Sequence, residues 1–216
     1  MHEIRTDTGL IRNRLMVSVD SLKQPDRVVI NRALALAEEV HHKHYRKPSK
    51  SDPYVKPKFI AHPMRVALIL IEELGIKERD ILVAALLHDV VEDSSWKITT
   101  HDLEKKFNRS IALMVSIVTR PAPDENIARE LQLLTYHERI EQANVYARVI
   151  KLAERLDNLR DLKDMDEPDF QKTYLVETWQ IYVPIAANTD KVLHEKLVKI
   201  CRQMEEALTI SLSTSE

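Results

Sequence analysis

Residues 82–93 read LVAALLHDVVED, and this stretch decides the fold. Its first part is apolar on every side, which predicts a helix that is buried rather than amphipathic. Its polar end carries His88, Asp89, Glu92 and Asp93. In a helix, His88 would lie next to Glu92, one turn away, and Asp89 next to Asp93. Buried carboxylates need a partner, and imidazole with carboxylate suits Mn, Fe or Zn. A helix that simply surfaces into solvent explains these residues equally well.

The composition of the whole chain predicts an all-α fold. The 216 residues include only 2 glycines, too few for tight hairpins or glycine-rich phosphate loops, and neither a GxGxxG nor a Walker-type loop occurs. With 44% hydrophobic residues the chain can bury a substantial core. We therefore expect one helical bundle of about eight to ten helices.

Charge and cysteine content narrow the classes of partner and compartment. The net charge of −2 argues against a broad nucleic-acid surface, although a local basic pocket is compatible with it. The lone Cys201 excludes an internal disulfide and suits a reducing compartment. No apolar run is long enough to span a bilayer, and the N-terminal residues lack the apolar segment of a signal peptide. We expect a cytoplasmic protein with no nucleic-acid or membrane partner.

The chain divides into three parts on pattern alone. Residues 1–25 are mixed in character and are expected to form an arm or a short helix laid on the domain. Residues 26–210 carry helical periodicity throughout and form the predicted domain. Residues 211–216 are expected to be a frayed tail.

Three predicted helices bear most directly on the site. They are expected over about residues 26–44, residues 78–92 and residues 124–143. The core side of the last helix is expected to be formed by Leu131, Leu134 and Ile140.

A second informative stretch runs from Val149 to Leu162. The apolar stripe on this helix consists of Val149, Leu152, Leu156 and Leu159. A different face carries Glu154, Asp157, Asn158 and Asp161, which is more typical of a solvated surface. That face becomes chemically interesting only if it meets the HD pair at residues 88–89.

His62 and the Arg46-Lys47 pair are ambiguous by themselves. A lone histidine near a helix start is more often structural or exposed. Beside His88, Asp89 and the carboxylate of Glu154, it would complete a ligand set for a first-row divalent ion. Arg46 and Lys47 could grip a base or a phosphate, or could be the solvated end of the first long helix.

Taken in order, these segments resemble the HD-domain superfamily. The segments are residues 46–47 (RK), 59–63 (FIAHP), 86–93 (LLHDVVED) and 151–162 (KLAERLDNLRDL). Within the superfamily they resemble the (p)ppGpp hydrolase domain of RelA/SpoT-type enzymes, and the resemblance covers about residues 26–200. Because the chain leaves no room for a synthetase domain, we expect a stand-alone small alarmone hydrolase.

The resemblance implies a metal centre. In that family two histidines, an HD aspartate and a KLAD aspartate bind one Mn²⁺, which implies His62, His88 and Asp89 as ligands here. Glu154 is expected as the fourth ligand, and it departs from the family, in which an aspartate is usual at this position. Asp157, one turn further on, is an alternative ligand.

The resemblance also implies roles in catalysis and substrate binding. Glu92 and Asp93 correspond to the acid/base and water-positioning pair for hydrolysis of the 3′-pyrophosphate, which yields GDP or GTP and pyrophosphate. Arg46 is expected against the guanine, Lys47 near phosphate, and Asn158 near the ribose or base.

Two other functions are compatible with the sequence. One is an HD phosphohydrolase that acts on another nucleotide or phosphorylated cofactor with the same metal centre. The other is a catalytically silent HD domain that senses a nucleotide. Glu154 favours the silent domain, whereas the Glu92–Asp93 pair argues against it.

Overall fold

The structure is a computed structural model that describes residues 5–50 and 53–213, and it confirms the all-α prediction. Within these ranges the β-type pairing is one isolated bridge between Tyr45 and Lys58. The helices of the described residues are, in chain order, α1 Thr8–Asp20, α2 Gln24–His41, α3 Ala61–Leu68, α4 Arg79–Leu87, α5 Val90–Asp93, α6 Thr100–Lys106, α7 Arg109–Val118, α8 Arg129–Glu141, α9 Val145–Leu162, α10 Pro168–Glu177, α11 Val183–Ala187 and α12 Lys191–Ser213. Two π-helical turns, Ile69–Glu73 and Thr178–Tyr182, follow α3 and α10.

Helix α4 lies at the centre of the bundle. Every residue from Ile81 to Leu87 is buried, as the apolar sequence predicts, and α4 packs against α2, α3, α7 and α9. The predicted continuation to residue 92 is wrong, because the helix breaks at His88–Asp89 before α5 begins. The backbone of Asp89, with φ −98° and ψ −6°, lies at the edge of the helical region. The break brings two consecutive side chains together, which a regular helix would hold about 100° apart.

Helix α2 ends at His41, three residues earlier than predicted. The backbone N–H of His44 donates to the carbonyl of His41 and closes the helix with a turn. The chain then runs antiparallel to the segment before α3, where Phe59 N–H donates to His44 O. Arg46 and Lys47 therefore lie on an extended segment and not at a helix end.

Helix α8 buries Ile140 as predicted, but the other two residues expected on its core side are exposed. Leu131 and Leu134 are each 54% exposed, whereas Gln132, Tyr136 and Ile140 are buried. The Gln132 amide donates to two backbone carbonyls of the preceding loop, and the Tyr136 hydroxyl donates to a carbonyl of α7. These hydrogen bonds offset the cost of burying the polar atoms, so hydrophobicity alone indicated the wrong side.

Helix α9 passes through the middle of the fold and contacts α3, α4, α7 and α12. Its predicted apolar stripe is confirmed, since all four residues of the stripe are buried. The opposite face is not solvated, because Glu154 and Asp157 are buried too, at 8% and 0% exposure. The acidic face of α9 thus reaches the HD pair at the end of α4.

The two ends of the chain extend the bundle. Helix α1 packs on α3 and buries Ile11, Leu15 and Val19, while α12 continues to Ser213, so the predicted frayed tail is helical at its start. Residues 1–4 of the predicted arm and residues 214–216 of the predicted tail lie outside the described residues. In the described part of the chain, no helix combines the length and hydrophobicity needed to cross a bilayer.

Candidate active site

Three predicted metal ligands meet at the break after α4. His62 comes from the first turn of α3, and His88 and Asp89 form the break itself. Nε2 of His62 lies 3.2 Å from Nε2 of His88 and 3.7 Å from Oδ2 of Asp89, and the last two atoms are 3.0 Å apart. Ligand atoms bound tetrahedrally at about 2.1 Å from one ion are separated by about 3.4 Å. These side chains are thus spaced to share a divalent cation.

The remaining nitrogen of each imidazole is held by a hydrogen-bond acceptor. Nδ1 of His62 lies 2.7 Å from the Asp157 carboxylate, and Nδ1 of His88 lies 2.7 Å from the carbonyl oxygen of Ala85. Each contact favours the tautomer that keeps the lone pair on Nε2, which is the arrangement that second-shell acceptors give to metal-binding histidines. The donor set therefore fits a first-row divalent ion.

Asp157 contacts the Nδ1 side of His62, which faces away from the cluster. Its carboxylate also accepts hydrogen bonds from the guanidinium groups of Arg65 and Arg5, at distances of 2.7–3.1 Å. Burial acts to raise the pKa of Asp157, but the two arginines and the His62 hydrogen bond hold it well below its usual range. Asp157 orients His62, and it is not part of the three-residue cluster.

Glu154 lies beside the same cluster, but its carboxylate forms an ion pair with a lysine side chain. Its Oε2 lies 2.7 Å from Nζ of Lys151, and Nδ2 of Asn158 is 3.3 Å from Oε1. The ligand atoms of His62, His88 and Asp89 all lie within 4.8 Å of one another, and Glu154 is not part of this group. Metal ligation by Glu154 stays a prediction, and it requires the carboxylate to share or release Lys151.

The charges around the cluster shift the pKa values of its histidines in opposite directions. Burial lowers the pKa of His62, and the nearby charge of Arg46 lowers it further. Burial also acts to lower the pKa of His88, but Asp89 and Glu154 outweigh it and raise the pKa to about 9. The negative charges of Asp89 and Glu154, which raise the pKa of His88, also favour a bound cation.

The cluster opens on a cavity of about 340 Å³. His62 and Asp89 lie on its wall with Glu92, Asp93 and Glu154. The other lining residues are Arg46, Phe59, Val118, Arg120, Lys151, Asn158, Leu162, Met165, Phe170 and Tyr174. A wall that combines aromatic rings, three cations and a candidate metal cluster is suited to an anionic nucleotide.

Both predicted catalytic carboxylates line this cavity. The backbone N–H of Arg120 donates to Oε1 of Glu92 at 2.5 Å. Burial raises the pKa of Glu92 to about 7, with a further contribution from the Asp89 carboxylate. A carboxyl group with a pKa near neutrality is suited to give or take a proton at physiological pH. Asp93 lies beside His41, 3.3 Å from its Nδ1.

The predicted substrate-binding residues divide into two groups. Arg46 and Asn158 both line the cavity, and Nη2 of Arg46 donates to Oδ1 of Asn158 at 2.7 Å. The Arg46 guanidinium carbon lies 5.6 Å from the ring centre of Phe59. Lys47 is not on the cavity wall, because its ammonium group is paired with Glu167 at 2.6 Å and its side chain is 64% exposed.

Sequence reasoning missed several cavity residues. Lys151 lies near the start of the second informative stretch, but its apolar neighbours in the sequence gave no sign that its side chain pairs with Glu154. Arg120 follows α7 in a proline-rich segment, and Tyr174 lies on α10; both come from segments with no chemical motif. Only the three-dimensional packing of α7, α9 and α10 brings these side chains to one cavity.

Comparison with known proteins agrees with this geometry. The HD domain family matches residues 33–192, which is more than half of the chain. The chain belongs to the HD-domain family. The predicted resemblance to RelA/SpoT-type hydrolases is confirmed by the relatives of this HD-domain protein.

Those relatives are all named for hydrolysis of (p)ppGpp, and one of them is named for its synthesis as well. The chain is 32% identical over 176 residues to the human guanosine-3′,5′-bis(diphosphate) 3′-pyrophosphohydrolase MESH1, covering 82% of this chain and 88% of that protein. It is 35% identical to the Xenopus tropicalis MESH1 over 138 residues, covering 64% and 72%. The Escherichia coli bifunctional (p)ppGpp synthase/hydrolase SpoT is 32% identical over 167 residues, covering 73% of this chain and 21% of SpoT.

A solved structure gives the same grouping. The chain is similar to a metazoan ortholog of SpoT that hydrolyses ppGpp, with a TM-score of 0.69 and 30% identity. The match covers 81% of this chain and 94% of that one.

Proposed function

We propose that this protein is a metal-dependent hydrolase that removes the 3′-pyrophosphate of ppGpp or pppGpp and yields GDP or GTP with pyrophosphate. One observation carries the proposal: His62 and Asp89 of the His62–His88–Asp89 cluster line the same cavity as the Glu92 carboxyl group. The names of the relatives with matching sequence over most of this chain support the same reaction.

The metal is proposed to be Mn²⁺, held by His62, His88 and Asp89 with Glu154 as the fourth ligand. Mixed nitrogen and oxygen donors suit Mn²⁺, although the same set accepts other first-row ions. When bound, the ion supplies a more acidic water and stabilises negative charge on phosphoryl oxygens. The cluster directs two imidazole Nε2 atoms and a carboxylate oxygen at one point, and a metal bound there would replace the proton that the raised pKa of His88 retains.

Proton transfer is proposed to rest on Glu92. Hydrolysis joins a water oxygen to the phosphorus next to the ribose 3′-oxygen and breaks the bond between that phosphorus and the 3′-oxygen. The water loses a proton, and the 3′-oxygen gains one. Glu92 is suited to this exchange because its pKa of about 7 lets both of its protonation states be populated. Asp93, on the same wall, orients the water.

Substrate recognition is proposed to use the cationic and aromatic part of the cavity. Arg46, stacked near Phe59, would contact the guanine, and Asn158 would bond the ribose or base. Arg120 and Lys151 would balance phosphate charge, since both line the cavity and Lys151 remains charged beside Glu154. Lys47 is the weakest of the predicted substrate contacts because Glu167 already holds it.

The silent-sensor alternative draws on one observation, the ion pair of Glu154 with Lys151. A carboxylate already neutralised by an ammonium group has less charge to offer a metal.

A cytoplasmic location is also proposed, in keeping with the lone, buried Cys201.

A substrate panel tests the proposed function against the alternatives. The Mn²⁺-loaded protein is incubated with ppGpp, with 3′-phosphorylated nucleotides and with nucleoside monophosphates, and released pyrophosphate and orthophosphate are measured separately. The proposal predicts pyrophosphate from ppGpp. Orthophosphate from another nucleotide would indicate the broader phosphohydrolase, and ppGpp binding without turnover would indicate the sensor.

A further inference from the structure

A second group of metal-binding side chains lies on the other side of Asp93. It consists of His41 at the end of α2, His44 in the turn that follows, and Asp93 at the end of α5. One ligand atom from each lies within 4.8 Å of the other two. None of these residues belongs to the His62–His88–Asp89 cluster.

The strongest sign of a ligand is the state of His41. Its side chain is 0% exposed, and neither ring nitrogen has a hydrogen-bond partner. Its Nδ1 lies 3.3 Å from Oδ2 of Asp93, but the two atoms are not aligned as a hydrogen bond. A buried polar atom without a partner has lost its hydrogen bonds to water with nothing to replace them, which is unfavourable. A cation between His41 and Asp93 would satisfy both groups at once.

The geometry around His41 is nearly that of a metal site. The distance of 3.3 Å between Nδ1 of His41 and Oδ2 of Asp93 is close to the separation of about 3.4 Å expected for two ligands of a tetrahedral ion. Nδ1 of His44 is 4.0 Å from the same carboxylate oxygen, and this half-buried ring needs a shift of only about half an ångström to reach that separation. Two backbone hydrogen bonds, from His44 to His41 and from Phe59 to His44, hold the turn in place.

We propose that His41, His44 and Asp93 form a second binding site for a first-row divalent cation of the Zn²⁺ class. Two imidazoles and one carboxylate are a frequent ligand set for Zn²⁺, with remaining positions taken by water. The site shares Asp93 with the cavity wall, so its occupancy would neutralise and immobilise that carboxylate. This consequence for turnover rests on the proposed function, whereas metal binding does not.

Metal stoichiometry tests the site directly. The probe is Zn²⁺ alone, added to metal-free protein in equilibrium dialysis, and bound zinc is measured per chain. The wild type is expected to bind two ions, His44→Gln one, and His88→Ala one. His42→Gln is the matched control, because this exposed neighbour bonds a backbone carbonyl of its own helix and should leave two ions bound. The wild type binding one ion, or His44→Gln keeping two, would overturn the proposal.

Histidine ¹⁵N NMR identifies the ligands and keeps the result separate from hydrolase activity. Addition of the second equivalent of Zn²⁺ is expected to shift the ring nitrogens of His41 and His44 in the wild type. In turnover assays, excess Zn²⁺ should then inhibit the wild type at least several-fold more than His44→Gln. Two bound ions with unshifted His41 and His44 resonances would refute the assignment. A protein without hydrolase activity that still binds two ions would refute only the proposed function.

Discussion

Replacing Glu92 with glutamine should stabilise the metal-free protein at alkaline pH while strongly slowing turnover. Burial and the Asp89 charge raise the pKa of Glu92 from its usual 4.5 to about 7. Between those two values the folded state binds more protons than the unfolded state, so stability falls as the pH rises through this window. Glutamine is neutral, has nearly the same shape, and keeps an oxygen that can accept the Arg120 N–H.

The size of the effect follows from the pKa shift. At about 1.36 kcal/mol per pKa unit, the shift corresponds to a cost of about 3 kcal/mol once the pH exceeds both values. Glu92→Gln should therefore gain up to about 3 kcal/mol at about pH 8 and only about 1 kcal/mol at about pH 5. Urea denaturation at both pH values, with a chelator present, measures the difference.

The control is Glu104→Gln, which removes an exposed carboxylate and should change stability by less than about 0.5 kcal/mol at either pH. Loss of a general acid or base should lower the kcat of Glu92→Gln by about 100-fold to 10,000-fold. A variant as stable as the wild type at both pH values would show that Glu92 is not held in an unfavourable charged state. Unchanged kcat would remove Glu92 from the mechanism.

Three further predictions test the metal support, the cavity and the core. Asp157→Asn should weaken metal binding by about 10-fold to 100-fold because it loosens His62, and it should destabilise the fold because two arginines lose their charged partner. Metal titration measures the first effect and urea denaturation the second. Unchanged metal affinity would argue against the orienting role of Asp157. Arg46→Ala should raise KM for ppGpp at least about 10-fold, whereas Lys47→Ala should change it less than about threefold, and equal effects would contradict the assigned cavity wall. Leu156→Ala should cost about 2–5 kcal/mol of unfolding free energy and Leu131→Ala less than about 0.5, and the reverse order would refute the observed face of α8.

The sequence predicts the parts of the fold that depend on hydrophobic pattern. The buried α4 and the apolar stripe of α9 follow directly from periodicity, because a long run of buried residues leaves few alternative arrangements. The face of α8 does not follow, since Gln132 and Tyr136 are buried by particular hydrogen bonds that only the tertiary structure provides. The same reason explains why the acidic side of α9 is buried although its spacing is typical of a solvated face.

The candidate site is predictable where it depends on residue type and less so where it depends on backbone breaks. His62, His88 and Asp89 were expected together, and they do meet. The break at Asp89, which lets consecutive side chains approach to 3.0 Å, leaves no sign in a sequence that is helical on both sides. The partner of His62 was also hidden, because Asp157 was considered as a ligand and instead holds the ring from behind.

The arm before α1 shows a different limit of sequence reasoning. Arg5 donates to Asp157 and Asp161 of α9, more than 150 residues away in the chain. No local pattern can indicate such a contact, because either partner alone resembles an ordinary surface charge. The contact links the described start of the chain to the support of His62.

The most direct test of the account is ³¹P NMR of ppGpp hydrolysis by Mn²⁺-loaded wild type and His88→Ala. The wild type is expected to release one pyrophosphate for each GDP formed, whereas His88→Ala is expected to bind no metal at the His62–His88–Asp89 cluster and to release no pyrophosphate. Full turnover by His88→Ala, or wild-type release of orthophosphate in place of pyrophosphate, would contradict the claim that this cluster drives 3′-pyrophosphate hydrolysis.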